Sequence, residues 1–349
     1  MSLKIGIVGM PNVGKSTLFN TLTNNSVPSE NFPFCTIDPN TGIVMVKDNR
    51  LDELSSITPT QKIVNAYITF VDIAGLVRGA SKGEGLGNKF LSHISDMDLI
   101  LEVVRDFNDK NIIHVEDTVN VERDIDIINT ELILKDLEKA EKLIEGGKKI
   151  LKKDSNYSEY MDLFSKVINI LDGGNLLIDH IDLNKRESEL IREFNFLTYK
   201  NFIYLYNSED YKAYIDKNGN IYMNILFEYE LSKMDPISKE SFLNDLDIEI
   251  SGIDILTRYA FDKLELQVFF TVGEKEIRAW VIKKGTNARD AAGVIHSDFS
   301  KNFIKMELVS YKDFIKYQGW SNCKESGKLK IMGAEHVLED GDIVLVRHS

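Results

Sequence analysis

The stretch Gly9-Met-Pro-Asn-Val-Gly14-Lys15-Ser16 carries the clearest chemistry in the chain. It is a phosphate-loop pattern in its required setting, with strand-like LKIGIV before it and helix-like TLFNTLT after it. Its glycines let the backbone N–H groups of Asn12, Val13, Gly14, Lys15, Ser16 and Thr17 turn toward phosphate oxygens, and the helix that follows presents its positive end to them. Lys15 is placed to reach the β- and γ-phosphates, and Ser16 to ligate Mg²⁺.

Two further motifs extend the site. Asp72 closes the strand-like YITFVD, and a carboxylate at a strand's C-terminal end is the second determinant of bound Mg²⁺. Gly75 then completes a D-x-x-G pattern whose backbone N–H meets the γ-phosphate. Thr36, in NFPFCTIDPN, lies between the two motifs and has two readings, a switch threonine closing on Mg²⁺ and the γ-phosphate or a capping residue in a turn. Leu76 stands where many GTPases keep a glutamine, and leucine forms no hydrogen bond with an attacking water. Hydrolysis then needs another group to orient that water, or it is slow. Gly75, Gly79, Gly83, Gly85 and Gly87 give this stretch the backbone freedom of a segment ordered by nucleotide or partner.

These residues need an α/β frame to hold them. Pro11, Pro28, Pro33, Pro39 and Pro59 fall early and only Pro236 follows, which leaves the middle of the chain free to form long helices. There, Ile125, Ile128 and Leu132, then Leu163, Val167 and Leu171, recur at helical spacing between Lys and Glu, as in antiparallel amphipathic helices packed on one another. Gly146–Gly147 and Gly173–Gly174 have the look of breaks. The β signal returns at FIYLY (202–206) and IYMNILF (221–227), so the helices form an insertion. Beyond about residue 266, LQVFFTVG, EIRAWVI and DGDIVLVRH predict a separate small α+β domain.

Composition narrows the class. At 349 residues, 43% hydrophobic and 28% charged, the chain supports two or three domains with real cores and resembles neither a disordered nor a membrane-embedded protein. Its longest apolar runs fall short of a membrane helix, its start lacks a cleavable apolar leader, and Cys35 and Cys323 fit reduced thiols, all consistent with a cytoplasmic protein. Two cysteines are too few for a zinc site. A net charge of −13 argues against a general nucleic-acid binder. From Gln267 onward, however, 13 Lys/Arg face 11 Asp/Glu; this mildly basic module is either a seat for RNA phosphates or ordinary surface variation.

GMPNVGKSTLFN, NFPFCTIDPNTGIV, VDIAGLVRGASKGEGLGNKFLSHI and FFTVGEKEIRAWVIKKGTNARDAAGVIHSDFSKNFIK resemble the YchF group of Obg-like P-loop ATPases across nearly the whole chain. The resemblance implies a G domain, a coiled-coil insertion, a C-terminal TGS domain, ribosome association, and hydrolysis of ATP on a GTPase fold. It places His114, in NIIHVED, as the group that positions or deprotonates water. It also places Asn12 where related potassium-stimulated GTPases hold a monovalent cation, so K⁺ is a second cation to expect beside Mg²⁺. GTPases read guanine with N-K-x-D, whereas the YchF pattern lacks the lysine and ends in glutamate. Here the loop is Asn207-Ser208-Glu209-Asp210, without lysine but with aspartate fourth, which leaves ATP and GTP both open. Leu226 and Phe227 replace a small Ser-Ala pair; they suit a nucleobase face or a buried strand end.

The sequence thus predicts an α/β chain with a P-loop G domain over 1–120 and 196–265, an antiparallel coiled-coil insertion over 121–195 and a small α+β TGS domain over 266–349. The predicted function is a nucleotide-dependent switch that hydrolyses ATP and binds the ribosome, acting in translation or the stress response. The alternatives are a GTP-specific switch of the same architecture and a nucleotide-gated ribosome-binding module with negligible turnover. Neither DNA nor a membrane is expected as a partner.

Overall fold

Apolar runs without alternation mark strands covered on both faces, and the middle of the first sheet is built from them. The computed structural model describes residues 3–24, 40–73, 86–150 and 157–349. Strand β1 (Lys4–Val8) leads into α1 (Lys15–Asn24), followed by β2 (Thr41–Val46), α2 (Arg50–Ile57), β3 (Ile63–Val64), β4 (Ala66–Asp72), α3 (Leu86–Ser95) and β5 (Leu99–Arg105). Every residue of β5 is buried, and it lies parallel to β1 on one side and to β6 (Asn201–Asn207) on the other. With β7 (Tyr214–Ile215) and β8 (Ile221–Met223) the sheet has the order β2-β4-β1-β5-β6-β8-β7, its two edge strands antiparallel to their neighbours. The phosphate loop and the loop after Asn207 both leave the C-terminal ends of parallel strands, where open α/β sheets bind ligands.

Between β5 and β6 lie α4 (Val121–Ile150), α5 (Tyr157–Asp172), α6 (Leu177–His180) and α7 (Lys185–Glu193). Ile127, Ile128 and Leu132 root α4 in the core of the first sheet. Its later turns enter a separate core, where Ile133 and Ala140 join Phe164, Val167 and Leu171 of α5. Gly146–Gly147 does not break this helix, because α4 continues to Ile150. A glycine costs about 1 kcal/mol relative to alanine inside a helix, which a long docked helix absorbs. The pair Gly173–Gly174 does follow the end of α5.

A second expectation is also corrected. Strand β8 stops at Met223, and Ile225, Leu226 and Phe227 open α8 (Ile225–Ser232) instead of extending the strand. Asn224 causes the switch, since its side chain accepts the Phe227 N–H at 2.9 Å and caps the helix. After it come α9 (Pro236–Asp245) and α10 (Gly252–Lys263).

The C-terminal unit consists of β9 (Leu266–Val272), β10 (Ile277–Lys283), α11 (Ala288–Ile295), α12 (Ser297–Lys301), β11 (Phe303–Val309), α13 (Tyr311–Tyr317), α14 (Trp320–Glu325), β12 (Lys330–Met332) and β13 (Ile343–His348). Its sheet order is β12-β11-β13-β9-β10-β3, so one edge comes from the first unit: Ile63 and Val64 pair in parallel with Ile277 and Arg278. The core is shared too. Val268, Phe270, Ile277, Phe314 and Ile343 belong to the same buried cluster as Leu51 and Leu54 of α2. Arg50 crosses the junction, bonding Asp48 and Asp340 at 2.7 Å each with its guanidinium over the Phe270 ring. The unit expected as separate is therefore joined to the first by a strand and a continuous core.

Candidate nucleotide-binding site

The phosphate loop is shaped by two close approaches. Gly9 has φ +149°, and a Cβ there would meet the Val103 carbonyl oxygen at 2.4 Å. Gly14 has φ +108°, and a Cβ there would meet Nδ2 of Asn207 at 2.7 Å. Only glycine fits either position without moving backbone or the neighbouring loop. Helix α1 begins immediately after, its first turn closed by the Leu18 N–H donating to the Gly14 carbonyl at 2.9 Å, which leaves the N–H groups of the preceding residues for a ligand.

Lys15 points back over this loop and donates from Nζ to the Met10 carbonyl at 2.7 Å. Burial lowers its pKa from 10.5 to about 8, against the raising influence of Asp72. The Asp72 carboxyl is in turn pushed up by burial and drawn back by Lys15. A cation held at such a cost is stabilised by an anion, and an oxygen-rich phosphate supplies one.

Asn207 joins the phosphate loop to the other end of the site. Its Nδ2 donates to the Val13 carbonyl at 3.0 Å and its Oδ1 accepts the Ile225 N–H at 3.1 Å. A cavity of about 630 Å³ runs between these ends, within the range of small-molecule sites. Asn12, Gly14, Lys15, Ser16 and Thr17 line one end, and Phe107, Asn108, Asp109, Ile112, Asn207, Ser208, Glu209, Asn224, Ile225 and Leu226 line the rest. The cavity is electrically polar. Next to the lining residue Phe107, Asp106 has its carboxyl raised by burial and then by the negative charges of Asp210 and Glu209.

Comparisons with known proteins agree with this architecture. Residues 4–140 match a family described as 50S ribosome-binding GTPase, and residues 266–349 match the C-terminal domain of YchF GTPases, described as a protein of unknown function. The Ribosome-binding ATPase YchF of Pasteurella multocida is 43% identical over 365 residues, covering 100% of both chains. The protein of that name from Bacillus subtilis is 42% identical over 368 residues, again covering 100% of both. The chain belongs to the YchF family. A solved YchF GTPase from Schizosaccharomyces pombe superposes with a TM-score of 0.86 at 38% identity, covering 99% of this chain and 98% of that one.

Within this YchF frame the sequence-derived residues fall into three groups. Asn12, Gly14, Lys15, Ser16, Thr17, Asn207, Ser208 and Leu226 line the cavity, with Val13 buried behind them and Asp72 within electrostatic reach of Lys15. Leu226, expected at a base face or a buried strand end, is 64% exposed at the head of α8 and so is not a buried strand end. Thr36, Gly75 and Leu76 lie outside the described residues.

The third group departs from expectation. Asp210 is not a wall of the cavity; the loop turns so that Glu209 is, with its Oε1 accepting the Asn108 N–H at 3.3 Å and its carbonyl accepting from Asn224 at 3.2 Å. His114 is not a wall either. It is 6% exposed, and both ring nitrogens are engaged, by Asp124 at 2.9 Å and by the Glu116 N–H at 3.1 Å. Asn12 spends one of its two side-chain amide N–H groups on the Ile113 carbonyl at 3.1 Å, a bond that does not engage its Oδ1.

Sequence reasoning missed the walls contributed by Phe107, Asn108, Asp109 and Ile112. They are held by Arg105, which is 2% exposed and donates to the carbonyls of Phe107, Asp109 and Ile112 at 3.0–3.2 Å while lying over the Phe107 ring. The available signal was an arginine closing an otherwise apolar strand, a charge that must find partners once buried.

Proposed function

We propose that this chain is a nucleotide-dependent switch that binds and hydrolyses ATP and docks on the ribosome; its relatives carry the name Ribosome-binding ATPase. The observation that carries the reading is the polarity of the cavity. Its glycine loop, helix N-terminus and Lys15 attract phosphates at one end, and the acidic Glu209 end repels them and suits an exocyclic amino group. A triphosphate has one way round to lie.

Mg²⁺ fits the donor set, since a serine hydroxyl and a strand-end carboxylate are hard oxygen ligands. Ser16 and Asp72 would hold it, with Thr36 as the family pattern implies, and bound Mg²⁺ neutralises charge on the phosphates. Lys15 and the loop N–H groups orient the phosphates, and Gly75 adds an N–H at the γ end. His114 acts on the attacking water in place of the glutamine that Leu76 displaces, after leaving the bonds described above, and the Oδ1 of Asn12 holds K⁺. ATP is favoured because Asp210, the residue that would clamp guanine, lies off the cavity, while Ser208 and the exposed Leu226 lie on it.

The test is a competition titration of labelled ATP and GTP on the pure protein, followed by steady-state turnover. ATP should bind at least as tightly as GTP. GTP bound tenfold more tightly, about 1.4 kcal/mol, overturns the ATP assignment. His114→Ala should leave ATP affinity nearly unchanged and lower turnover by about 10²–10⁴-fold, and parental turnover in that variant makes the histidine structural.

A further inference from the structure

His114 sits inside a chain of contacts that runs from the phosphate loop to the helical insertion. Its Nδ1 accepts the Glu116 N–H at 3.1 Å, which places the ring proton on Nε2, and Nε2 donates to Oδ2 of Asp124 at 2.9 Å. Asp124 is 2% exposed and lies in the first turn of α4. Its other oxygen accepts Nε and Nη2 of Arg123 at 3.1 and 2.9 Å. Arg123 also donates to the carbonyls of Glu116 and Thr118, closing the loop around the histidine. On the upstream side, the carbonyl of Ile113 accepts from Asn12 in the phosphate loop. The residue before the histidine is thus held by the loop that receives phosphates, and the histidine itself by the first turn of the insertion.

We infer that Asp124 is a positioning residue for hydrolysis: it stores His114 away from the phosphates and sets the free energy of its release, so that the helical insertion governs turnover through the first turn of α4. This rests on the reading of His114 as the group that acts on water. A buried hydrogen bond to a charged acceptor holds its partner about 10- to 150-fold more firmly than none, and one to a neutral acceptor about 2- to 10-fold. Asparagine keeps the shape and the acceptor oxygen of aspartate but removes the charge. The stored population weakens, and more molecules present the imidazole to the cavity. Ligands that rotate α4 against the sheet act on the same bond.

The experiment is basal ATP turnover of the full chain, without ribosomes. Asp124→Asn should raise kcat about 5- to 10-fold with KM for ATP unchanged, and the protected imidazole N–H signal of His114, visible in the parental protein, should exchange faster by a similar factor. In a His114→Ala background the same substitution should change nothing. Glu116→Pro, in a more exposed part of the loop, removes the N–H that fixes Nδ1 together with the Glu116 side chain and should also raise kcat, so release of the stored histidine is read in a second variant if the first does not fold. Should His114→Ala turn over ATP at the parental rate, the assignment of the histidine fails, whatever Asp124 does. Should His114→Ala abolish turnover while folded Asp124→Asn and Glu116→Pro leave kcat unchanged or lower it, the storage role of Asp124 is overturned.

Discussion

Replacing Lys15 by methionine should stabilise the empty protein while abolishing nucleotide binding. The side chain is largely buried with its charge facing a carbonyl, and its pKa is lowered from 10.5 to about 8, burial being the main cause and Asp72 opposing it. At about 1.4 kcal/mol per unit, keeping the lysine charged below pH 8 costs the folded state about 3 kcal/mol. Loss of the bond to the Met10 carbonyl returns about 1 kcal/mol, so Lys15→Met should gain about 2 kcal/mol at pH 7, or roughly 4 °C in the unfolding midpoint. The pH dependence follows from linkage. Between about pH 8 and 10.5 the unfolded chain holds a proton on this lysine that the folded protein has released, so parental stability rises with pH across that window and the advantage of the variant disappears. Paired thermal melts without nucleotide at pH 7 and pH 10 read both effects, and titration calorimetry with ATP at pH 8.5 in two buffers of different ionisation enthalpy should show proton uptake by the parental protein. A variant less stable than the parent at pH 7, or a gain that is the same at both pH values, refutes the reasoning.

Glu209→Ala should alter the ratio of ATP to GTP affinity, and Asp210→Ala should leave it within about twofold, since only the former lines the cavity; competition titrations of both variants decide this. Gly14→Ala puts a side chain at φ +108° against Asn207 and should weaken ATP binding by about 2–3 kcal/mol, read by calorimetry. Arg278→Glu with Lys283→Glu, on β10, should weaken ribosome co-sedimentation and flatten its dependence on salt while sparing ATP affinity; sedimentation unchanged from parent places the ribosomal contact elsewhere.

The phosphate end of the site was legible because its chemistry is local. Gly9, Gly14, Lys15 and Ser16 work through backbone geometry and one helix start, and a stretch of eight residues encodes both. The strand ends at Asp72 and Asn207 were legible for the same reason, as apolar runs that finish in a polar residue. The other end depends on turns. Whether Glu209 or Asp210 faces the base is decided by how Asn224 and Asn108 grip the loop, two contacts from distant segments that no periodicity announces. His114 is a sharper instance, since its type and position suit catalysis while its burial against Asp124 is a matter of tertiary packing. Gly146–Gly147 and the ILF of α8 went astray through local propensity, overruled in the first case by helix docking and in the second by a cap.

The strand that β3 lends to the C-terminal sheet sets an order of assembly. Ile63 and Val64 leave the ribosome early in synthesis, between two strands of the first sheet, yet their pairing partners Ile277 and Arg278 are made only after the whole helical insertion. Until then Leu51 and Leu54 of α2 lack part of the cover they have in the finished molecule, because α2 packs on β10 and α13 of the C-terminal unit. Contacts this distant in sequence close last and slowly. The nascent chain therefore carries a partly uncovered amphipathic helix through most of its own translation, and a transcript truncated near residue 265 yields a protein whose first unit is complete in sequence but unfinished at its surface.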